Sequence, residues 1–332
     1  MDGKVLTISI AAYNVASYLR KTLDSILVDD ETLSKIEVLI EDDGSKDSTA
    51  LIGTEYEKKY PQSIKLISKK NGGYGSTINE SIKIAEGRYF KQLDGDDWYK
   101  TENLSEFVRY LEGCKADVVL SPFFEVREPN MTETLVDTHT RITAENSSIE
   151  SCNFDEDVMM HEMTIRTGLL RDNNIKISEH CFYTDNEYTF LPLLHAKTIS
   201  RFDKPVYCYR LGREGQSVSL EGVRKHYKDT LVVAEKLYKN YTAYGLDSSG
   251  EKKNILITRI LKISDIVYGT YALLEDKQLA QKELRLFDRD VKHKYREVYE
   301  LTANIKKIRF LRIMNFCKPA IKYVGKVRLR QF

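Results

Sequence analysis

Through the first hundred residues of this 332-residue chain, short apolar runs alternate with segments of helical spacing. Runs at 6–12, 36–41, 64–68 and 89–93 read as strands, while 17–27, 47–59 and 76–85 carry apolar positions three and four apart, as helices do. Strands separated by helices make βαβ units, so the pattern predicts a mostly parallel sheet covered by helices. Ser76 is placed to cap the third helix and Gly87 to stop it. A further helix starts at Thr101 and leads to a strand at 117–120, and the polar stretch 128–151 predicts a connection or lid with little structure.

Beyond Arg224 the pattern changes. Leu231, Ala234, Tyr238 and Tyr241 recur at helical spacing, 255–274 is apolar and periodic, and glycine and proline nearly disappear. The expected organisation is an α/β domain over 1–224 and a helical appendage over 225–332. Near the end Phe310, Met314, Cys317, Ile321 and Val324 step by three or four, interspersed with Arg309, Arg312, Lys318, Lys322 and Lys326.

Composition narrows the class. A chain 42% apolar and 30% charged is an ordinary folded protein, and no stretch approaches the roughly 18 uncharged apolar residues of a spanning helix. The amino terminus lacks the shape of a signal peptide, so a cytoplasmic protein is expected. Five cysteines, an odd number without a C-x-x-C pair, indicate neither a disulfide framework nor a zinc site. The net charge of +1 conceals an asymmetry. Residues 301–332 hold nine Lys/Arg and no acid, leaving 42 of the 51 basic residues against all 50 acidic ones. A nucleic-acid binder carries its basic stripe on the folded domain, so none is expected here. The cationic tail leaves two readings open: an interfacial helix on an anionic membrane surface, or a stripe packed on the preceding helices or on a second subunit.

The sharpest chemical feature is Leu93-Asp94-Gly95-Asp96-Asp97-Trp98, which puts carboxylates at the carboxyl end of a buried strand, where open α/β sheets bind ligands. Acids crowded on one turn repel, and a divalent cation relieves the repulsion; hard oxygen ligands suit Mg²⁺ or Mn²⁺. A calcium-binding EF-hand loop is excluded, because its sixth and twelfth positions hold Tyr99 and Ser105 instead of Gly and Glu. Glu41-Asp42-Asp43-Gly44-Ser45 places more acids after another strand. Asn71-Gly72-Gly73-Tyr74-Gly75-Ser76 precedes a helix whose amino terminus would face a phosphate. That glycine run is neither the dinucleotide fingerprint, since Ile78 holds the third glycine position, nor a P-loop.

In order and spacing these segments resemble the family 2 glycosyltransferases of the GT-A fold, of the kind that build bacterial surface polysaccharides. The resemblance runs through Ile8-Ser9-Ile10-Ala11-Ala12-Tyr13-Asn14, the second acidic turn, Asn71-Gly72-Gly73 with Asn79, Glu86-Gly87-Arg88-Tyr89 and the DXD element Asp94-Gly95-Asp96. It resumes at Tyr183-Thr184-Asp185-Asn186-Glu187-Tyr188 and Tyr207-Cys208-Tyr209-Arg210, covering about residues 4–220. It implies a mixed sheet flanked by helices. It further implies that Ala11, Tyr13, Asp43 and Gly73 frame a nucleoside, that Asp94 faces ribose and metal, and that Asp96 ligates a Mn²⁺ or Mg²⁺ ion bridging a diphosphate. Asp185 stands where the family keeps its base, although the acid that usually precedes it is Thr184 here.

These residue types suit sugar transfer from a nucleotide-sugar, by family habit a UDP-sugar, to a hydroxyl of a glycan, lipid-linked or glycoprotein acceptor. Cleaving the anomeric bond develops negative charge on the leaving diphosphate, which a cation stabilises. The attacking hydroxyl loses its proton to one carboxylate, and displacement opposite the leaving group inverts the sugar. Arg210 and Arg213 offer guanidinium groups to the diphosphate, with surface salt bridging as the plainer reading. Trp98 suits either a sugar contact or core packing. Two other classes remain open, a sugar nucleotidyltransferase and a non-catalytic partner subunit. The first typically has a basic glycine-rich loop after its first strand, where this chain has Ala11-Ala12-Tyr13-Asn14-Val15.

Overall fold

The computed structural model describes residues 3–142, 146–212 and 220–329. The first of its two units, Met1–Arg213, opens with β1 (Leu6–Ala12), α1 (Ala16–Asp24), α2 (Asp30–Ser34), β2 (Ile36–Asp42), α3 (Thr49–Lys59), β3 (Ile64–Ser68), α4 (Tyr74–Ile84) and β4 (Tyr89–Asp94). There follow β5 (Trp98–Tyr99), α5 (Thr101–Gly113), β6 (Val118–Leu120), β7 (Phe123–Arg127), β8 (Thr132–Val136) and β9 (Ser147–Ser148). The unit closes with β10 (Met163–Arg166), α6 (Thr167–Asp172), α7 (Asp185–His195), β11 (Thr198–Arg201) and β12 (Tyr207–Leu211).

The main sheet has the order β3-β2-β1-β4-β10-β6-β11-β9. Its first four strands are parallel, β10 runs antiparallel between β4 and β6, and the sheet is therefore mixed, as the resemblance implies. Leu6, Ile8 and Ile10 of β1 and every residue of β2 are buried, which is how a parallel strand covered on both faces reads. A smaller sheet, β5-β12-β7-β8, stands beside the end of β4. Part of the 128–151 segment expected to lack structure thus forms β8, paired antiparallel with β7.

Two local expectations are corrected. The residue before α4 is Gly73, at φ +81°, a conformation that glycine adopts freely; Ser76 lies one turn inside, its hydroxyl donating to the Gly73 carbonyl at 2.7 Å. Gly87 does not stop that helix, which ends at Ile84 with Ala85 as its cap. Gly87 instead packs on β1, where a Cβ would collide with the Thr7 backbone. The short α2 has no counterpart among the expected helices; Asp29 caps it by accepting the Thr32 N–H at 2.9 Å.

The second unit, Glu214–Phe332, is helical: α8 (Leu220–Lys225), α9 (Tyr227–Asn240), α10 (Gly250–Leu273), α11 (Lys277–Lys294), α12 (Arg296–Thr302), α13 (Lys306–Ile313) and α14 (Lys318–Leu329). Leu256, Ile260, Ile263 and Val267 of α10 form its centre. The apolar stripe expected along 310–324 is divided, because the chain turns between α13 and α14 with Asn315 and Phe316 at positive φ. Ile321 and Val324 are buried, whereas Met314 is exposed. Arg312 also lies inside, its guanidinium 2.7 Å from Asp288 and stacked on Tyr299. Among the described residues no helix is long and apolar enough to cross a membrane. None of the five cysteines is in a disulfide.

Candidate active site

The parallel register puts the ends of three strands side by side. Ala11 is opposite Glu41 on β2 and Asp94 on β4. Tyr13, half exposed, follows β1, and the next residue docks on the second acidic turn through Asn14 N–H to Ser45 Oγ at 2.9 Å. Asp43 donates its N–H to the Ala12 carbonyl. Its buried carboxylate accepts the N–H groups of Gly72 (2.9 Å) and Gly73 (2.8 Å) and pairs with Lys69. Ala11, Tyr13, Asp43 and Gly73 therefore gather at one end of the sheet. The glycine run also meets the segment leading to α7: His180 N–H donates to the Gly72 carbonyl at 2.7 Å, and a Cβ on Gly73 would lie 3.0 Å from the His180 nitrogen.

The acidic turn after β4 is built around Asp97. Gly95 N–H donates to the Ala11 carbonyl and Asp97 N–H to that of Asp94, both at 3.0 Å. The Asp97 carboxylate points inward, accepting the Tyr207 hydroxyl (2.6 Å) and the Arg210 N–H (2.7 Å). Burial, with the neighbouring charges of Asp94 and Asp96, holds its carboxyl well above the usual carboxylate range. Arg210 is buried rather than on the surface: Nε donates to the Asp96 carbonyl at 2.8 Å, another nitrogen pairs with Glu128, and the guanidinium lies 4.9 Å from the Trp98 ring. It stabilises the turn's backbone. Trp98 is buried too, with Lys21 Nζ 3.2 Å from its ring centre. Arg213 lies outside the described residues.

Asp94 and Asp96, unlike Asp97, remain partly exposed. Tyr74, the first residue of α4, donates its hydroxyl to Asp94 Oδ1 at 2.7 Å and lies 2.9 Å from Met160 Sδ. On the other side, the Tyr209 ring stacks on His161 with centroids 4.0 Å apart. Asp185 is the exposed first residue of α7, where the helix dipole favours negative charge. Thr184 before it is buried, so the position where the resemblance has a second acid lies inside the packing.

Two phenols tie these distant carboxylates together. Burial first, and then Asp94, push the Tyr74 hydroxyl well above its ordinary range, and Asp185 adds to the push. The Tyr209 hydroxyl is raised by burial, then by Asp94, Asp97 and Asp185. Asp94 and Asp185, 91 positions apart in the chain, thus both act on the Tyr74 and Tyr209 hydroxyls. His161 beneath Tyr209 is neutral, its imidazole lowered to about 3 by burial and then by Lys91. Sequence reasoning assigns Tyr74, Tyr209 and Asp97 no separate role, although each stands in a segment it singles out: the glycine run, the stretch 207–210 and the acidic turn.

Glu41, level with Ala11, is fully buried, and burial raises its carboxyl to about 7 even though Ser81 Oγ donates to it at 2.7 Å. A carboxyl raised on folding contributes stability that is fully present in acid and lost as pH rises from its ordinary 4.5 through about 7. Glu41→Gln should remove that loss. Thermal melts across this window should show wild type losing stability relative to the variant as pH rises; parallel curves would contradict the assignment.

As metal donors, Asp94 and Asp96 are hard oxygen ligands of the type Mg²⁺ and Mn²⁺ take. Among the described residues no three His, Cys, Asp or Glu side chains converge to hold an ion by themselves. The donor set fits a cation that draws its other ligands from phosphate or water.

Comparisons with known proteins identify the fold and the family. Over 215 residues the chain is 26% identical to the poly(ribitol-phosphate) β-N-acetylglucosaminyltransferase TarS of Staphylococcus aureus, covering 64% of this chain and 36% of the relative, so the chain spans about a third of that protein's length. The crystal structure of S. aureus TarS 1–349 in complex with UDP-GlcNAc superposes with a TM-score of 0.71 at 21% identity, covering 98% of this chain and 92% of that one. The mannosyltransferase PcManGT of Pyrobaculum calidifontis, solved with GDP-Man and Mn²⁺, has a TM-score of 0.52 at 15% identity, covering 98% and 87%. At such identities the two structures establish the fold. The family profile described as glycosyl transferase family 2 matches residues 7–181, more than half of the sequence. With the mixed sheet and the acidic strand ends in place, the chain belongs to glycosyl transferase family 2.

Proposed function

We propose that the protein is an inverting glycosyltransferase that moves a sugar from a UDP-sugar to a hydroxyl of a cell-surface glycan or a lipid-linked precursor of one. The observation that carries this reading is the carboxyl end of the sheet, where Ala11 stands opposite Asp94 and Tyr74 of the glycine run donates to Asp94 at 2.7 Å, with Asp185 acting on the same Tyr74 hydroxyl. It supports a reading with Asp94 on the donor side and Asp185 on the acceptor side of the transferred sugar. The likeness to TarS, whose name describes N-acetylglucosamine transfer to poly(ribitol-phosphate), supports both the donor class and a surface-polymer acceptor.

In this reading Ala11, Tyr13, Asp43 and Gly73 border the nucleoside. The Asp43 carboxylate, held by the Gly72 and Gly73 amides, fixes the shape of that border. Asp94 and Asp96 would hold Mn²⁺ or Mg²⁺, and such an ion supplies Lewis-acid stabilisation of a departing diphosphate. Tyr74 orients Asp94 through its hydrogen bond, and Arg210 keeps the Asp96 backbone in place. Asp185 would accept the proton of the attacking acceptor hydroxyl, and a single base opposite the leaving group favours direct displacement with inversion. Arg213 is a further candidate for the diphosphate.

Nucleotide-sugars screened for protection against thermal unfolding, with and without Mn²⁺, test the donor. A UDP-sugar should protect most, and more with the metal. Protection by a GDP-sugar alone, or by none of the panel, would overturn the donor assignment.

A further inference from the structure

The helical unit carries a surface that sugar transfer leaves unexplained. Of the cations in 301–329, Lys307 pairs with Asp265 at 2.8 Å, Arg312 with Asp288 at 2.7 Å, and Arg328 lies 3.8 Å from Asp265. Lys306, Arg309, Lys318, Lys322 and Lys326 are exposed, on a segment that contains no acidic residue. Nearby acids are few, Asp276 acting on Lys318 and Glu275 pairing with Arg224, so the cations outnumber them and an anionic partner relieves their mutual repulsion.

Exposed apolar side chains share this surface. Ile313 is 74% exposed, Tyr323 61% and Val327 47%. On α13, Arg309 and Ile313 are one turn apart; on α14, Lys322 and Lys326, and likewise Tyr323 and Val327, are one turn apart. The rings of Phe310 and Tyr323 meet at 5.6 Å, which joins the exposed faces of the two helices into one strip. Beside it opens a cavity of about 340 Å³ lined by four cations, Arg224, Lys277, Lys322 and Lys326, and one acid, Glu275, which pairs with Arg224 at 2.8 Å. Lys277 is lowered by burial and then by Arg224 and Lys322, with Glu275 acting in the opposite direction.

We infer that α13 and α14 form a docking face for an anionic phospholipid surface. The lysines and arginines meet lipid phosphates, and Ile313, Tyr323 and Val327 enter the headgroup boundary. A soluble anionic protein would satisfy the cations but leave the protruding aliphatic groups in water. A bilayer interface meets both needs, since cationic faces with apolar neighbours bind there through charge and buried apolar area together. The inference concerns residues of the second unit alone and does not depend on the transfer reaction.

Co-sedimentation of the full chain with phosphatidylcholine vesicles, with and without phosphatidylglycerol, tests it. Binding should require the anionic lipid and weaken with salt. The double variant Lys322→Glu, Lys326→Glu should lower partitioning by at least roughly tenfold, since each cation near the surface contributes about a fivefold effect. A second variant, Tyr323→Ser with Val327→Ser, should bind more weakly while its thermal melt matches wild type. No binding to anionic vesicles would overturn the inference, as would unchanged binding by the charge-reversed protein. Sedimentation equilibrium showing that this face joins two copies of the chain, with no vesicle binding, would equally overturn it.

Discussion

Asp185→Asn should lower sugar transfer by roughly 10²–10⁴-fold, the range a positioned general base contributes, while leaving donor affinity unchanged. The substitution is nearly isosteric and sits at an exposed position, so the start of α7 should survive it. Asparagine also keeps an acceptor oxygen for the Asn186 side chain, which donates to Asp185 Oδ1 at 3.1 Å. What is lost is the capacity to take a proton. Steady-state kinetics together with calorimetric titration of the donor separate the two effects. Transfer at wild-type rates would remove Asp185 from the chemistry, and a matching loss of donor affinity would move it to the donor side.

Asp96→Ala should abolish metal-stimulated transfer, by roughly 10²–10³-fold if the ion contributes the several kcal/mol typical of Lewis-acid stabilisation. The fold should tolerate the change for a local reason: Arg210 binds the Asp96 carbonyl, which alanine retains, and not the carboxylate. Asp97, one residue on, is different, because its side chain itself holds Tyr207 and the Arg210 amide. Rates measured against Mn²⁺ concentration test the assignment, with the melting temperature as control. A variant that keeps both its rate and its Mn²⁺ response would show that the ion, if used, is held elsewhere.

The strands were legible because their signal is local. The apolar runs ending at Ala12 and Ser68 coincide with β1 and β3, and those expected to end at Glu41 and Leu93 each continue by one acidic residue, Asp42 and Asp94. Those acids belong to the ladder and still open onto the turns, which is why an alternating or apolar pattern alone stops short of them. The helix start at Tyr74 was not legible, because glycine at positive φ replaced the hydroxyl cap that the sequence offered two residues inside the helix.

The site was readable as a set of acids but not as a set of contacts. Nothing near Arg210 in the sequence announces that its guanidinium folds under the Asp96 backbone, more than a hundred positions away. Nor does the spacing of Tyr74 and Asp94 reveal their hydrogen bond, which joins the first residue of α4 to the last of β4. The 310–324 stripe misled for a related reason. Helical periodicity was counted across a turn, so Ile321 and Val324, which pack inward, were joined with Met314, which does not.

The proposal that Asp94 and Asp185 face one space is tested most directly by a crystal structure of the protein with UDP and Mn²⁺, the ion located by its anomalous signal. The account predicts manganese against Asp94 and Asp96, touching the diphosphate, with the Asp185 carboxylate facing the same opening. Manganese bound at other residues, or Asp185 turned away from the nucleotide, would contradict it.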